Sequence, residues 1–155
     1  MPENTKNEYS IFDERKLDDI YSEIQEVYTS DSRPWVIGFS GGKDSTATLQ
    51  LVWNAISSLP VEKRKKQIFV ISSDTLVETP MISRRINQIL KNINDYAKKQ
   101  GLPISAEKVT PQINDSFWVS LVGKGYPAPS KRFRWCTERL KIRPADRFIL
   151  SKVSI

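Results

Sequence analysis

The sequence predicts an α/β domain, a doubly wound parallel sheet with helices on both faces. Two short apolar runs rich in strand formers, Trp35–Phe39 and Gln67–Ser72, read as strands covered on both sides. Helical periodicity fills the segments between and after them, and Gly and Pro punctuate the joins. A βαβαβ alternation of this kind implies parallel strands with right-handed crossovers.

Residues 1–12 read as a flexible lead-in, and 13–155 as one domain. Leu17, Ile20, Tyr21, Ile24, Val27 and Tyr28 recur at helical spacing, so Asp13–Thr29 is expected to be an amphipathic helix. Pro34 ends it. Ser40–Asp44 is a glycine turn after the first strand, and Ser45–Ser57 is a mostly buried helix. Lys63–Lys66 reads as a charged loop before the second strand. Thr79-Pro80 is an N-cap and first-turn pair for a helix that runs to Gly101. Ile104–Val109 is a weaker third strand. A short helix over Asp115–Val122 and a turn-rich loop to Pro129 follow, and Pro144 is expected to open the last helix. Three or four strands are few for a buried parallel sheet, and the sequence stops at Val153-Ser-Ile155, barely into that helix. The expectation is a fold incomplete at its C-terminus, the N-terminal portion of a longer protein.

Composition narrows the chemistry. There is no histidine and a single cysteine, Cys136, which excludes Ser-His and Cys-His catalysis, an internal disulfide and a Cys-Cys metal knuckle. No apolar run approaches the length of a membrane span, and the N-terminus lacks the layout of a secretory signal, so no membrane partner and a cytoplasmic location are expected. The net charge of +6 is concentrated: residues 1–123 hold 15 Lys+Arg against 16 Asp+Glu, and residues 124–155 hold 9 against 2. A basic segment of that density points to an anionic partner, nucleotide phosphates or nucleic acid.

The sharpest signal is Ser40-Gly-Gly-Lys-Asp-Ser45, between a buried strand and a helix. In an open parallel sheet such a turn lies at the carboxyl edge, where ligands bind. Gly41 and Gly42 are expected to take positive φ and let backbone approach a ligand. Successive amides and the helix N-terminus make an anion cradle. Ser40 and Ser45 add hydroxyls, Lys43 a charge, and Asp44 a ligand for Mg2+. The turn is not a Walker A loop, because Ile37 stands where that loop has its first glycine and Asp44 where it has Ser or Thr. At the second strand end, Asp74 suits Mg2+ or a ribose hydroxyl and Thr75 a nearby donor. The competing reading is an Asx or ST turn. Glu78 has a weaker case, since it suits the charge of a helix N-terminus. In Lys131–Pro144, Arg and Lys suit phosphate oxygens, Phe133 and Trp135 suit base stacking or a core, and Cys136 is equally a reactive thiol or a small buried hydrophobe.

Ser-Gly-Gly-x-Asp-Ser after a buried strand is similar to the PP-loop of the ATP pyrophosphatases, whose fold is the adenine nucleotide alpha hydrolase-like, Rossmann-like sheet. With Asp74-Thr75, Glu78-Thr79 and Cys136–Pro144 in this order, the chain resembles the phosphoadenylylsulfate (PAPS) reductase family over about Trp35 to Ile149. Gly123-Lys-Gly-Tyr-Pro-Ala-Pro129 before Arg132-Phe-Arg-Trp-Cys-Thr137 resembles its DNA-phosphorothioation branch more than its reductases. The resemblance implies a sulfurtransferase-type enzyme that cleaves ATP to AMP and pyrophosphate. Ser40, Gly41, Gly42 and Ser45 would hold pyrophosphate, Lys43 would neutralise it and Asp44 would bind the metal. Asp74 and Thr75 would lie near metal or ribose, and Arg139 and Lys141 would bind nucleophile or triphosphate. It also implies DNA, a cysteine desulfurase and other phosphorothioation proteins as partners, and a [4Fe-4S] cluster with Cys136 as one ligand. A cubane cluster takes four cysteines, so this chain alone is expected to be cluster-free. The alternatives are a PAPS or adenylylsulfate reductase-like enzyme, and a non-catalytic ATP- or DNA-binding fragment.

Overall fold

A computed structural model of the chain describes residues 16–152. The lead-in over 1–12 and the first residues of the expected N-terminal helix lie outside them. The elements are α1 (Leu17–Ser30), β1 (Trp35–Gly38), α2 (Lys43–Ser57), β2 (Ile68–Ser73), α3 (Pro80–Lys99) and β3 (Ile104–Val109). A helical run then carries the chain over 135–152, ending in α4 (Arg143–Lys152). No helix among the described residues is long and apolar enough to cross a membrane.

The three strands are parallel and lie in chain order, β1-β2-β3, with helices against the sheet. Ile68 and Val70 are fully buried and share a core with Val52 and Ile56 of α2 and Leu90 and Ala97 of α3. Each of the valine, leucine and isoleucine side chains contributes roughly 1.5–3 kcal/mol by leaving water. Phe69 is one residue out of phase, so it points to the opposite face, where its ring meets Phe148 of α4 edge-on at 5.4 Å. Helices thus flank both faces of a mixed α/β fold.

The sheet's two edges differ. The amides of Trp35 and Phe39 reach the Gln67 and Ile71 carbonyls, so Val36 and Gly38 turn their backbone groups away from β2, to the edge where the sheet ends. At the other edge, Asn94 of α3 answers Ala106 with both ends of its carboxamide. Its Nδ2 donates to the Ala106 carbonyl at 2.9 Å, and its Oδ1 accepts the Ala106 amide at 2.7 Å.

Three expectations are altered or extended. Lys66 is not a solvated loop residue: it is buried, its Nζ meets Asp31 Oδ1 at 2.6 Å, and it lies over the rings of Tyr28 and Trp35. Its carbonyl accepts the Tyr28 hydroxyl at 2.6 Å. A buried ammonium persists only when paired, and Asp31 pairs it. The last α-helix starts at Arg143 with Pro144 second, as expected, but helical turns from Trp135 onward lead into it. A π-helical turn, Glu138–Ile142, precedes the proline, and the Arg143 amide reaches back to the Glu138 carbonyl. Proline has no amide, and its ring crowds the carbonyl four residues back. A wide turn before it lets the helix continue. The helix expected over Asp115–Val122 is a 3-10 turn, Ile113–Asp115, and a π-helical turn, Val119–Gly123.

Hydrogen bonds from Lys66 and then Arg33 hold the Asp31 carboxyl down to about 2, against an ordinary value near 4. A depressed carboxylate stabilises the fold above its unfolded value, and that contribution is lost as pH falls through the folded one. Urea unfolding should therefore show stability declining from about pH 4 towards pH 2, and Asp31→Asn should flatten that decline. An unchanged slope in the variant would show that Asp31 is not its source.

Candidate functional site

The carboxyl ends of β1 and β2 open onto a cleft of about 500 Å3, within the usual range for small-ligand sites. Gly38–Ser40 and Ile71–Ser73 form its floor, Glu78, Ile82 and Ile86 one wall, and Lys141, Ile142 and Ala145 the other. Its polar groups are few, and its apolar groups are mostly isoleucines.

The turn at its edge is tied internally by long hydrogen bonds. The Ser45 hydroxyl lies 3.2 Å from the Ser40 hydroxyl and accepts the Ser40 amide at 3.3 Å, and the Ser40 hydroxyl accepts the Gly42 amide at 3.4 Å. These lie at the weak end of the hydrogen-bond range, so an anion's oxygens would compete with them well. α2 starts at Lys43, with Gly42 at its N-cap and no capping side chain. The first intrahelical bond is Thr46 amide to Gly42 carbonyl, which leaves the Lys43, Asp44 and Ser45 amides as orphan donors at the positive helix end. Lys43 and Asp44 are exposed.

Only one of the two glycines takes positive φ. Gly41 sits at +75°, and a Cβ there would stand 3.2 Å from Ile86 Cδ1. Gly42 lies at −82°, an ordinary extended conformation, because it is already the N-cap of α2.

Of the other expected site residues, Lys141 lines the cleft from the π-helical turn that precedes α4. Asp74 is set back. Its carboxylate accepts Lys108 Nζ and the Leu76 amide, both at 2.9 Å, which is an Asx turn with Leu76 at φ +62°. Burial pushes this carboxyl up, but the Lys108 hydrogen bond, the Leu76 amide and the Lys108 charge together outweigh it and hold the group below its ordinary value. Thr75 is buried and donates to Glu78 Oε1 at 3.1 Å, so Glu78 is the carboxylate that lines the cleft. Arg139 is engaged elsewhere. Its Nη1 meets Asp115 at 2.7 Å, its Nη2 donates to the Tyr126 hydroxyl at 2.6 Å, and it is not among the cleft's lining residues. Cys136 is half-buried in the first turn of the last helical run.

Ser72, Ser73, Ile82, Ile86, Ile142 and Ala145 belong to the cleft without having been singled out. Ile82 and Ile86 carried a readable signal, one helical turn apart, but that spacing serves a core face equally well. Lys141, Ile142 and Ala145 form one such face only on a helix that starts before Pro144.

The chemistry of these side chains bears on which metal they could hold. Mg2+ keeps waters and binds through one or two carboxylates plus phosphate oxygens, which Asp44 beside the turn can provide. Among the described residues no group of three His, Cys, Asp or Glu could hold a metal by itself. One thiol supplies a quarter of the ligands of a cubane cluster.

Gly41→Ala should cost about 1–2 kcal/mol in urea unfolding, the penalty of a left-handed conformation for an L-residue. Gly42→Ala should stay within about 0.5 kcal/mol. Equal losses in the two variants would contradict this backbone assignment.

No family model matches the chain. An uncharacterised protein of Methanocaldococcus jannaschii is 31% identical over 126 residues, which cover 81% of this chain and 22% of that protein. The chain therefore spans about a fifth of the length of the relative it matches.

Proposed function

We propose that this chain is the nucleotide-binding portion of a PP-loop ATP pyrophosphatase of the PAPS reductase family, of the DndC type, with the adenine nucleotide alpha hydrolase-like fold. The observation that carries the reading is the uncapped start of α2 at a glycine turn whose first residue, Ser40, lines a cleft that Lys141 also lines. The first-turn amides and the Ser40 and Ser45 hydroxyls hold the β- and γ-phosphates. Lys43 and Lys141 offset their charge from two directions. Mg2+ carried in with the nucleotide, with Asp44 as its protein ligand, supplies further charge neutralisation. The isoleucine-lined part of the cleft takes the base, and Glu78, steadied by Thr75, is placed to accept hydrogens from ribose or base.

A nucleophile attacks the α-phosphorus in line, the bond to the β-phosphate oxygen breaks, and pyrophosphate leaves. With water as nucleophile the product is AMP. With a DNA backbone phosphate it is an adenylylated phosphate ready for sulfur delivered from a cysteine desulfurase. Catalysis here is positioning and charge stabilisation, since no histidine is available for proton transfer. A second reading, nucleotide binding without turnover, is favoured by one observation: the Arg139 guanidinium is committed to Asp115 and Tyr126.

ATP labelled at the α-phosphate, incubated with the chain and Mg2+, should yield labelled AMP, and Asp44→Ala should abolish the product. Labelled ADP would refute α–β cleavage, and tight binding without product would select the second reading. Lys141→Ala should weaken ATP binding about tenfold, the loss of one charge-assisted contact. Equilibrium dialysis checks it, and unaltered binding would remove Lys141 from the site.

A further inference from the structure

The basic segment separates into groups with different work. Arg139 and Arg143 are paired with Asp115 and Glu138. Lys141 lines the cleft, and Lys124 rests its Nζ on the Asn114 carbonyl. Lys131, Arg132 and Arg134 are exposed, have no carboxylate partner among the described residues, and are absent from the cleft.

These three lie on a built feature. The Ser130 and Phe133 backbones exchange hydrogen bonds at 3.1 and 3.2 Å, closing a tight turn with Lys131 and Arg132 at its tip. The chain then enters Trp135, which is buried and donates its indole N–H to the Pro127 carbonyl at 2.9 Å. Phe117 stacks on Trp135 with ring centroids 5.5 Å apart, and Trp118 meets Phe117 edge-on at 5.2 Å. Trp118 itself is 61% exposed, and Phe133 beside the tip is 46% exposed. Through Phe117 the exposed indole is joined to Trp135, the residue after Arg134, so an aromatic face and uncompensated cations belong to one connected feature, the composition of a single-strand binding platform.

We infer that this surface, outside the nucleotide cleft, binds a nucleic-acid single strand: Trp118 stacks on an unpaired base while Lys131, Arg132 and Arg134 hold neighbouring phosphates. In a duplex the base faces are occupied by each other, so the indole finds a partner only where a strand is open. The charge alone would attract an acidic peptide equally well, and the exposed indole favours the nucleic acid. The platform does not depend on nucleotide cleavage, so the two readings fail separately.

The test is fluorescence anisotropy of labelled oligothymidylate and oligouridylate of about twelve nucleotides, without ATP or Mg2+, competed by a duplex of equal length and by polyglutamate. The strand should bind with a log–log salt slope of about −2, from three phosphate contacts. Trp118→Ala should weaken binding about tenfold. Lys131→Ala with Arg132→Ala, both at exposed positions, should reduce the slope to about −0.7. Binding of thymidylate alone identifies DNA, and equal binding of both identifies any open strand. Either supports the platform. A duplex or polyglutamate that displaces the strand as well as the strand itself, or a Trp118→Ala variant that folds and binds unchanged, would overturn it.

Discussion

Because β2 bonds on both sides, three strand ends are held at one level. The last rungs are the Phe39 amide on the Ile71 carbonyl at 2.8 Å and the Asp74 amide on the Val109 carbonyl at 2.9 Å. Past those rungs the ladder stops, and the chain must turn away in glycine and Asx turns. The cleft is the space left where these turns diverge. Its floor is rigid for the same reason that Ile68 and Val70 are fully buried: a central strand has no free edge and no wet face. The Ser40 turn, the Glu78 carboxylate and Lys141 are then side chains hung on a frame that none of them builds.

The legible parts of this fold were those written in local pattern. β3 occupies Ile104–Val109, as its alternation suggests, and α3 begins at Pro80 behind Thr79. The illegible parts depended on contacts distant in sequence. Lys66 looks like one of four consecutive basic residues, and only the approach of Asp31 and two rings makes it a buried one. Pro144 reads as a helix start because proline prefers the first turn, and it does lie in one, but the π turn that leads into it has no local signal. In the site, the glycine turn was readable because its chemistry is contiguous. Arg139 was not, since its partner Asp115 lies 24 residues earlier in the chain.

Charge that looks uniform along the basic C-terminal segment is divided in space. A cation beside a carboxylate is spent on holding the fold, and such pairs are weak attractors of anything else. Arg143 makes this plain: the Glu138 hydrogen bond raises its guanidinium further above an already high value. Lys141, one residue from the π turn's end, has no carboxylate partner among the described residues and lines the cleft. The net charge of the segment thus overstates what a ligand would meet.

Asn94 makes the sheet behave like a polymer with one terminus blocked. Its carboxamide supplies the donor and acceptor that a neighbouring strand would otherwise bring to Ala106, so growth past β3 would have to displace it. Among the described residues, growth past β1 meets no such stopper in the Val36 and Gly38 backbone. Any added strand, whatever its source, is directed to the side that carries the glycine turn. Its own carboxyl end, if it ran parallel, would emerge next to Ser40. Addition to this sheet would therefore extend the cleft, and the helix face that hides β3 would stay as it is.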